Sequence, residues 1–301
     1  MDIKTIGTDP TGSEIKQLTL SNSHASLIFM SFGARIASWK LASGVNVLDP
    51  VINLDHARGK GRSHASIIAP VANRITDAEA EIDGIAYRLD VNEGENSLHS
   101  GTAGTQLRNW HLEEADEASV VFTIRHENGA GGLPGPCDFR VTYALSDNRL
   151  SLVIEAVAEV ATLVNPAFHP YFLAPFRSTL KVNADCYLPV DDATLPTGQI
   201  RDVADTDFDL RKPVVPHEHF DHCLLLNDGI KELAAILATP THRITVHTDA
   251  PGLQVFTGKE GLIALEPEIH PDAPSNPDFP SIILRPGEVY RQTSHWIVDP
   301  L

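Results

Sequence analysis

The sequence predicts an all-β protein, a sandwich or barrel of antiparallel strands, and three observations lead there. Apolar and polar residues alternate with a period of two through most of the chain. The alternating runs are short and separated by turns, with 20 Gly and 21 Pro in 301 residues. Helical periodicity is weak, and neither a GxGxxG after a strand nor a GxxxxGK[ST] loop occurs, which excludes the common nucleotide-binding α/β folds.

Taken in order, the first clear element is a hairpin. Ala78 to Ile82 and Ile85 to Val91 flank Asp83-Gly84, the pair favoured where both central turn residues need positive φ. In the second run Ile85, Tyr87, Leu89 and Val91 form an apolar face against Ala86, Arg88 and Asp90. Val120 to Arg125, Phe139 to Leu145 and Leu150 to Ala158 are the next strands, the last two joined by Ser146-Asp147-Asn148. Thr179 to Val182, Leu224 to Leu226, Arg243 to Thr248, Leu253 to Thr257, Leu262 to Glu266, Ser281 to Leu284 and Val289 to Trp296 complete the set. Gly229 to Ala238 is the best helical stretch. Residues 127 to 138, rich in Gly and Pro, form a loop that serves as a connection or a lid.

No repeat, low-complexity tract or linker divides the chain, so residues 1–301 are expected to form a single domain. A body of this size buries roughly three quarters of its unfolded surface without a covalent staple. Charged residues make up 21% and apolar residues 42%, with a net charge of −17, as in a soluble globular protein. That charge, without clustered Lys and Arg, argues against nucleic acid and anionic membranes as partners. It weighs only mildly against small phosphorylated ligands, for which two local arginines suffice. Cys137, Cys186 and Cys223 lack paired spacing and read as reduced. With no basic and apolar leader and no apolar run near the ~20 residues of a membrane helix, a cytoplasmic protein is expected.

Four segments do not read as plain strand or turn. Pro70 to Ile75 places the Asn73-Arg74 pair beside apolar residues. Asn92 to Gly101 is a polar loop ending in Leu98-His99 between small neighbours. Asn165 to Phe172 sets His169 among aromatics and prolines. In the fourth, Gln254 lies in the run Leu253 to Gly258, and Glu266 follows the apolar run Leu262 to Leu265. A carboxylate leaving a core strand is partly desolvated, which suits a general base. Each also has a plain structural reading: a surface Arg, a solvated loop His, a satisfied core His and an ordinary strand-end Glu. His217, Glu218, His219, Asp221 and His222 lie within six residues, yet no zinc-helix motif or cysteine pair accompanies them, so no metal site is assigned.

Taken together, these segments resemble the aldose 1-epimerase (galactose mutarotase) family. The shared elements are Ala72-Asn73-Arg74-Ile75, Asp83-Gly84-x-x-Tyr87-x-Leu89, Asn96-x-Leu98-His99-x-Gly101 and Asn165-x-x-x-His169-x-Tyr171-Phe172. Phe220-Asp221-His222-Cys223, Leu253-Gln254-x-Phe256-Thr257-Gly258, Leu265-Glu266-Pro267 and the stretch from Pro271-Asp272-Ala273 to Pro286-Gly287-Glu288 follow in the family's order. The resemblance implies one large antiparallel β-sandwich, the galactose mutarotase-like supersandwich. It implies Glu266 as the base at the anomeric hydroxyl and His169 as the acid at the ring oxygen. It further implies that Asn73, Arg74, His99, Asp221 and Gln254 bind a small-molecule sugar, and that neither metal nor organic cofactor is needed. Two departures lie near the expected site: Ala69-Pro70 replaces the family's Gly-Arg, and Leu98-His99-Ser100-Gly101 replaces Leu-His-Gly-Gly.

The chemistry expected is ring opening by proton exchange at the two oxygens of C1, rotation about C1–C2, and closure on the other face. His169 would start protonated and Glu266 ionised after modest pKa shifts, with Asp221 a candidate to raise the imidazole. Phe168, Tyr171, Phe279 and Trp296 are candidates for an apolar wall. Competing readings are a hexose-phosphate mutarotase, a non-catalytic sugar-binding protein, and a glycoside hydrolase in which Glu268 or Asp221 pairs with Glu266. Both monomer and homodimer are compatible with the sequence.

Overall fold

The computed structural model describes residues 2–227 and 233–301. Three antiparallel sheets carry most of the chain. The largest has eight strands, in the order His111–Ala115, Ser119–His126, Cys137–Ser146, Arg149–Ala158, Tyr290–Pro300, His242–Thr248, Ala235–Ala238, Thr179–Val182. A six-stranded sheet runs Tyr171–Leu173, Leu262–Glu268, Gly252–Phe256, Asp221–Leu226, Ala184–Tyr187, Arg201–Asp202. A four-stranded sheet, Ile3–Thr8, Glu14–Ser21, Ala25–Met30 and Arg35–Leu41, lies outside the strands read from sequence.

The sheets share one apolar core. Leu27 and Trp39 from the four-stranded sheet, Phe122 and Tyr143 from the eight-stranded one, and Val255 and Leu265 from the six-stranded one belong to a single buried cluster. The central strands of the large sheet alternate as their sequences do. In Cys137–Ser146 every second residue, from Cys137 through Leu145, is buried and those between are half-exposed. One face meets the core and the other turns outward, as an antiparallel sandwich requires.

The Asp83-Gly84 hairpin forms as read: Ile82 pairs with Ile85, and the two turn residues take φ of 53° and 79°. Its second strand ends at Arg88, however, and Ile85 and Val91 are exposed. The buried side is supplied by Ala80 and Ile82 of the first strand. The helical reading of residues 229 to 238 fails where it can be compared. Ala235–Ala238 is a strand between Thr179–Val182 and His242–Thr248, with Ala235 and Leu237 buried in alternation. Residues 229–232 of that stretch lie outside the described residues.

The only α-helix among the described residues is one turn, Leu54–Arg58, capped by the Asn53 side chain accepting from the His56 amide (2.8 Å). It leads into Gly59-Lys60-Gly61-Arg62-Ser63, a turn whose carbonyls are gripped by the buried Arg35. That guanidinium donates to Gly61 O (2.8 Å) and Arg62 O (3.1 Å). The 127–138 loop packs as a connection: Asp90 N donates to Gly131 O (3.1 Å) and Gly129 N to Leu133 O (2.8 Å). No helix among the described residues is long and apolar enough to cross a membrane.

Candidate active site

Strand register assembles the centre of the site. Tyr171 pairs with Ala264, and this pairing brings His169, just before the strand Tyr171–Leu173, beside Glu266 near the end of Leu262–Glu268. Glu266 pairs on its other side with Gln254, Gln254 with Cys223, and Phe256 with both Asp221 and Ala264. Side chains two apart along a strand share a face. Glu266, Gln254 and Asp221 therefore project from one face of the six-stranded sheet, and the His169 ring meets them there. The result is a cleft of about 700 Å³ lined also by Asn73, Arg74, His99, Tyr171 and Phe256.

His169 Nε2 stands 3.5 Å from Glu266 Oε1, and both side chains are about 95% buried. The backbone of His169 is bonded on both sides: its N–H donates to Ser66 O (3.0 Å), and its carbonyl accepts from Ala65 N (2.8 Å). Its ring stacks on Tyr171, with centroids 4.7 Å apart, and meets His99 edge-on at 5.6 Å. Ala264, flanked by Tyr171 and Phe256, is small enough to let those two rings approach to 6.2 Å.

Two tight turns bring in the remaining residues. Asn73 and His99 both have positive φ, 62° and 54°, and hold each other. Asn73 N donates to His99 Nδ1 (3.0 Å), and His99 N to Asn73 O (2.9 Å). With Nδ1 accepting, the neutral ring carries its proton on Nε2. Ser100 Oγ accepts from Val71 N (2.8 Å) and donates to Val71 O (2.9 Å), so the serine at this departure from the family pattern ties the two segments together. Gly101, at φ 57°, has no room for a side chain: a Cβ there would lie 2.4 Å from Asp90 Cβ. Arg74 donates to both Glu93 oxygens (2.6 and 3.1 Å) and to Asp221 Oδ2 (3.2 Å). Gln254 Nε2 donates to Asp221 Oδ1 (2.6 Å).

Burial dominates the electrostatics of the cleft. It pushes the Glu266 carboxyl well above the usual range, helped by neighbouring Glu268 and Asp221. It pulls His169 well below its ordinary value, and the nearby His99 and Lys259 add to that. Both shifts oppose charge, the opposite direction from the one a charged His169 and an ionised Glu266 would need. Asp221 is not among the groups that shift His169, and its oxygens accept from Arg74 and Gln254. His99 is pushed down to about 3 by burial and by the charges of Arg74 and Arg62. Glu268 is fully buried behind Asn73, whose Nδ2 donates to its Oε1 (3.1 Å), and burial pushes it up to about 8.

All seven sequence-derived residues, Glu266, His169, Asn73, Arg74, His99, Asp221 and Gln254, line this one cleft. Of the four aromatic candidates only Tyr171 does. Phe168 and Trp296 pack on each other in the core, and Phe279 is buried against His270. Phe256, Glu93, Arg62 and Lys259 also line the cleft and were not singled out. Phe256 lay inside a quoted motif and Lys259 one residue beyond its end. In the 217–222 segment, His217 stacks on Phe220 (4.4 Å) and His222 packs on Phe208 (4.3 Å). Among the described residues no group of three or more His, Cys, Asp or Glu could hold a metal ion.

This arrangement sits in a chain whose residues 16–296 match the family model described as Aldose 1-epimerase. The human galactose mutarotase is 35% identical over 264 aligned residues, covering 76% of this chain and 77% of that protein. The aldose 1-epimerase of Escherichia coli K12 is 30% identical, covering 95% of this chain and 96% of its own length. The solved structure of a galactose 1-epimerase from Lactobacillus acidophilus superposes with a TM-score of 0.90 at 24% identity, covering 99% of this chain and 98% of that one. A homologue from C. elegans gives 0.89 at 24% identity, covering 95% and 99%. The chain belongs to the aldose 1-epimerase family, a family of isomerases, and its fold is the antiparallel β-sandwich of the galactose mutarotases.

Proposed function

We propose that the protein interconverts the α and β anomers of a free aldose, with Glu266 as base and His169 as acid. The observation that carries this reading is the 3.5 Å contact between His169 Nε2 and Glu266 Oε1 on one face of the cleft. The hydroxyl oxygen and the ring oxygen of an aldose are both bonded to C1, so the groups serving them must be neighbours. A base on the strand Leu262–Glu268 and an acid just before the neighbouring strand Tyr171–Leu173, in contact with each other, meet that requirement.

The proton count agrees. A neutral imidazole with a protonated carboxyl holds the same number of protons as an imidazolium with a carboxylate; the two forms differ by one transfer. Burial favours the first form. Sugar hydroxyls entering the cleft supply hydrogen bonds that favour the second. From that form Glu266 takes the proton of the C1 hydroxyl as His169 gives one to the ring oxygen, the C1–ring oxygen bond breaks, and the aldehyde forms. Rotation about C1–C2 and the reverse transfers reseal the ring. One proton enters the sugar and one leaves, so the pair ends with the count it began with. The pair titrates as a unit, and activity spans the pH range in which the two groups together hold one proton.

Arg74, Asp221, Gln254, His99 and Asn73 bind and orient the sugar in this reading. The Arg74–Asp221–Gln254 chain fixes donors and acceptors before the ligand arrives, which lowers the cost of ordering them. Tyr171 and Phe256 offer the apolar wall. A glycoside hydrolase needs a second carboxyl across the scissile bond. Glu268 does not face the cleft, and Asp221 is occupied by Arg74 and Gln254, so that reading has no free partner for Glu266. A single domain of residues 1–301 accords with a core that draws on residues from Leu18 to Val298, and a cytoplasmic location with three unpaired cysteines.

Polarimetry on freshly dissolved α-glucose, α-galactose and α-pentoses tests the reading. Equilibration faster than the spontaneous rate is expected with at least one sugar. Spontaneous decay with every sugar overturns it.

A further inference from the structure

The chain carries 40 acidic and 23 basic residues, yet the cleft wall is cationic. Arg58, Lys60, Arg62, Arg74 and Lys259 line it, against Glu93, Asp221 and Glu266. Arg74 is matched by Glu93 and Asp221. Arg58 is turned to a fixed partner, donating to Thr8 O (3.0 Å) and lying over the Phe32 ring (5.6 Å). Among the described residues Lys60, Arg62 and Lys259 make no ion pair; Asp49, behind His64 and outside the cleft lining, is the acidic group that acts on Lys259, and the positive charge facing the cleft exceeds the negative.

Lys259 is held in place. Its Nζ lies 2.8 Å from His64 Nε2 and 4.1 Å from the centroid of the Tyr171 ring. His64 is buried, its own ring lies 4.3 Å from that of Tyr171, and its Nδ1 is 3.0 Å from Asp49 Oδ2. Burial draws His64 down to about 4, so its neutral ring accepts from the ammonium and adds no charge. Arg62 sits within electrostatic reach of Lys259, Tyr171 and His99, and the Arg35 grip on its carbonyl fixes its backbone. An ammonium fixed over an aromatic ring, next to an unpaired guanidinium, is a prepared site for an anion. Tyr171 connects it to the reacting pair, because the same ring stacks on His169 and carries Lys259.

We propose that Lys259 and Arg62 form an anion subsite at this edge of the cleft, and that the preferred aldose carries a carboxylate or phosphate remote from C1 while its anomeric hydroxyl stays free. The substrate class rests on the mutarotase reading above; the anion subsite stands on its own geometry. Its field opposes that of an otherwise acidic surface and gathers anions to the cleft, an effect that salt weakens.

The test pairs binding with turnover on one panel: galactose and glucose as neutral sugars, galacturonate as the carboxylate, glucose 6-phosphate as the phosphate. Calorimetry is expected to show at least one anionic sugar binding tenfold or more tightly than its neutral counterpart, since a charge-assisted hydrogen bond is worth about one to two factors of ten. The advantage should shrink as salt is raised. Polarimetry should show the same preference in kcat/KM. Lys259→Met and Arg62→Gln should each collapse the ratio of anionic to neutral kcat/KM, and Lys259→Arg should restore it. Preference for galacturonate, for glucose 6-phosphate or for both supports the subsite and identifies its anion. Equal or weaker binding of both anions overturns the subsite even if neutral sugars are turned over. Anion-selective binding without mutarotation of any sugar supports the subsite and overturns the acid–base reading instead.

Discussion

The hairpin of Cys137–Ser146 and Arg149–Ala158 and the pair of Gly252–Phe256 and Leu262–Glu268 are both antiparallel ladders, but they bury their residues differently. In the hairpin, burial alternates residue by residue, and charged side chains such as Arg140 and Glu155 occupy the outer face. In Leu262–Glu268 every residue after the first is buried, two glutamates included. The hairpin meets the core on one face and turns outward on the other. The second pair is covered on both faces, by the core below and by the cleft residues above. The first arrangement costs little for its charges because they stay near water. The second keeps carboxyls out of water, where their proton affinity rises. The difference separates a region whose charges stay in water from one whose carboxyls are held out of it.

The largest expected effect falls on the chemistry. Glu266→Gln and His169→Asn should each lower the polarimetric rate by about 10²–10⁴-fold, with the far-ultraviolet circular dichroism unchanged. Full activity in Glu266→Gln would move the base elsewhere and dissolve the contrast between the two ladders. In the hairpin, Phe139→Ala should cost about 3–5 kcal/mol of stability by opening a cavity, read by denaturant unfolding. The protein that remains folded should keep its specific activity. A large loss of activity per folded molecule would show that the two regions are not separable.

Glu268 sharpens the comparison through pH. Its folded value, about 8, lies above the ordinary 4.5, so the folded chain holds a proton that the unfolded chain has released. Its contribution is present in full below pH 4.5 and is lost as pH rises towards and through 8. Glu268→Gln should make the fall in unfolding free energy between pH 5 and 8 shallower. Identical slopes in the two proteins would mean that this carboxyl titrates normally. The smallest effect belongs to the outer face of the hairpin: Thr142→Val should move stability by no more than about 0.5 kcal/mol, within a degree or two of Tm.

The same contrast explains what could be read from the sequence. Alternation exposes a strand with one wet face, so Phe139 to Leu145 and Leu150 to Ala158 were legible to within a few residues. Ala235–Ala238 alternates too, but four residues of Ala, Ile and Leu carry no polar phase, and the stretch passed for helix. The seven site residues were legible because each belongs to a motif of fixed spacing. Arg62 and Lys259 belong to no such motif; only the folding of two distant turns beside Tyr171 gives them a shared purpose. The proton distribution was illegible for a different reason. Residue types set reference values, whereas burial, a property of the finished packing, moves His169 and Glu266 away from their charged forms.

The pairing that brings His169 beside Glu266 has an evolutionary consequence. Glu266 stands on a strand paired on both sides and the backbone of His169 is bonded to Ala65 and Ser66, whereas Arg62 and Lys259 stand on connecting turns. Descendants of this chain can therefore exchange one sugar for another by rewriting turns, and inherit the reactive couple unaltered.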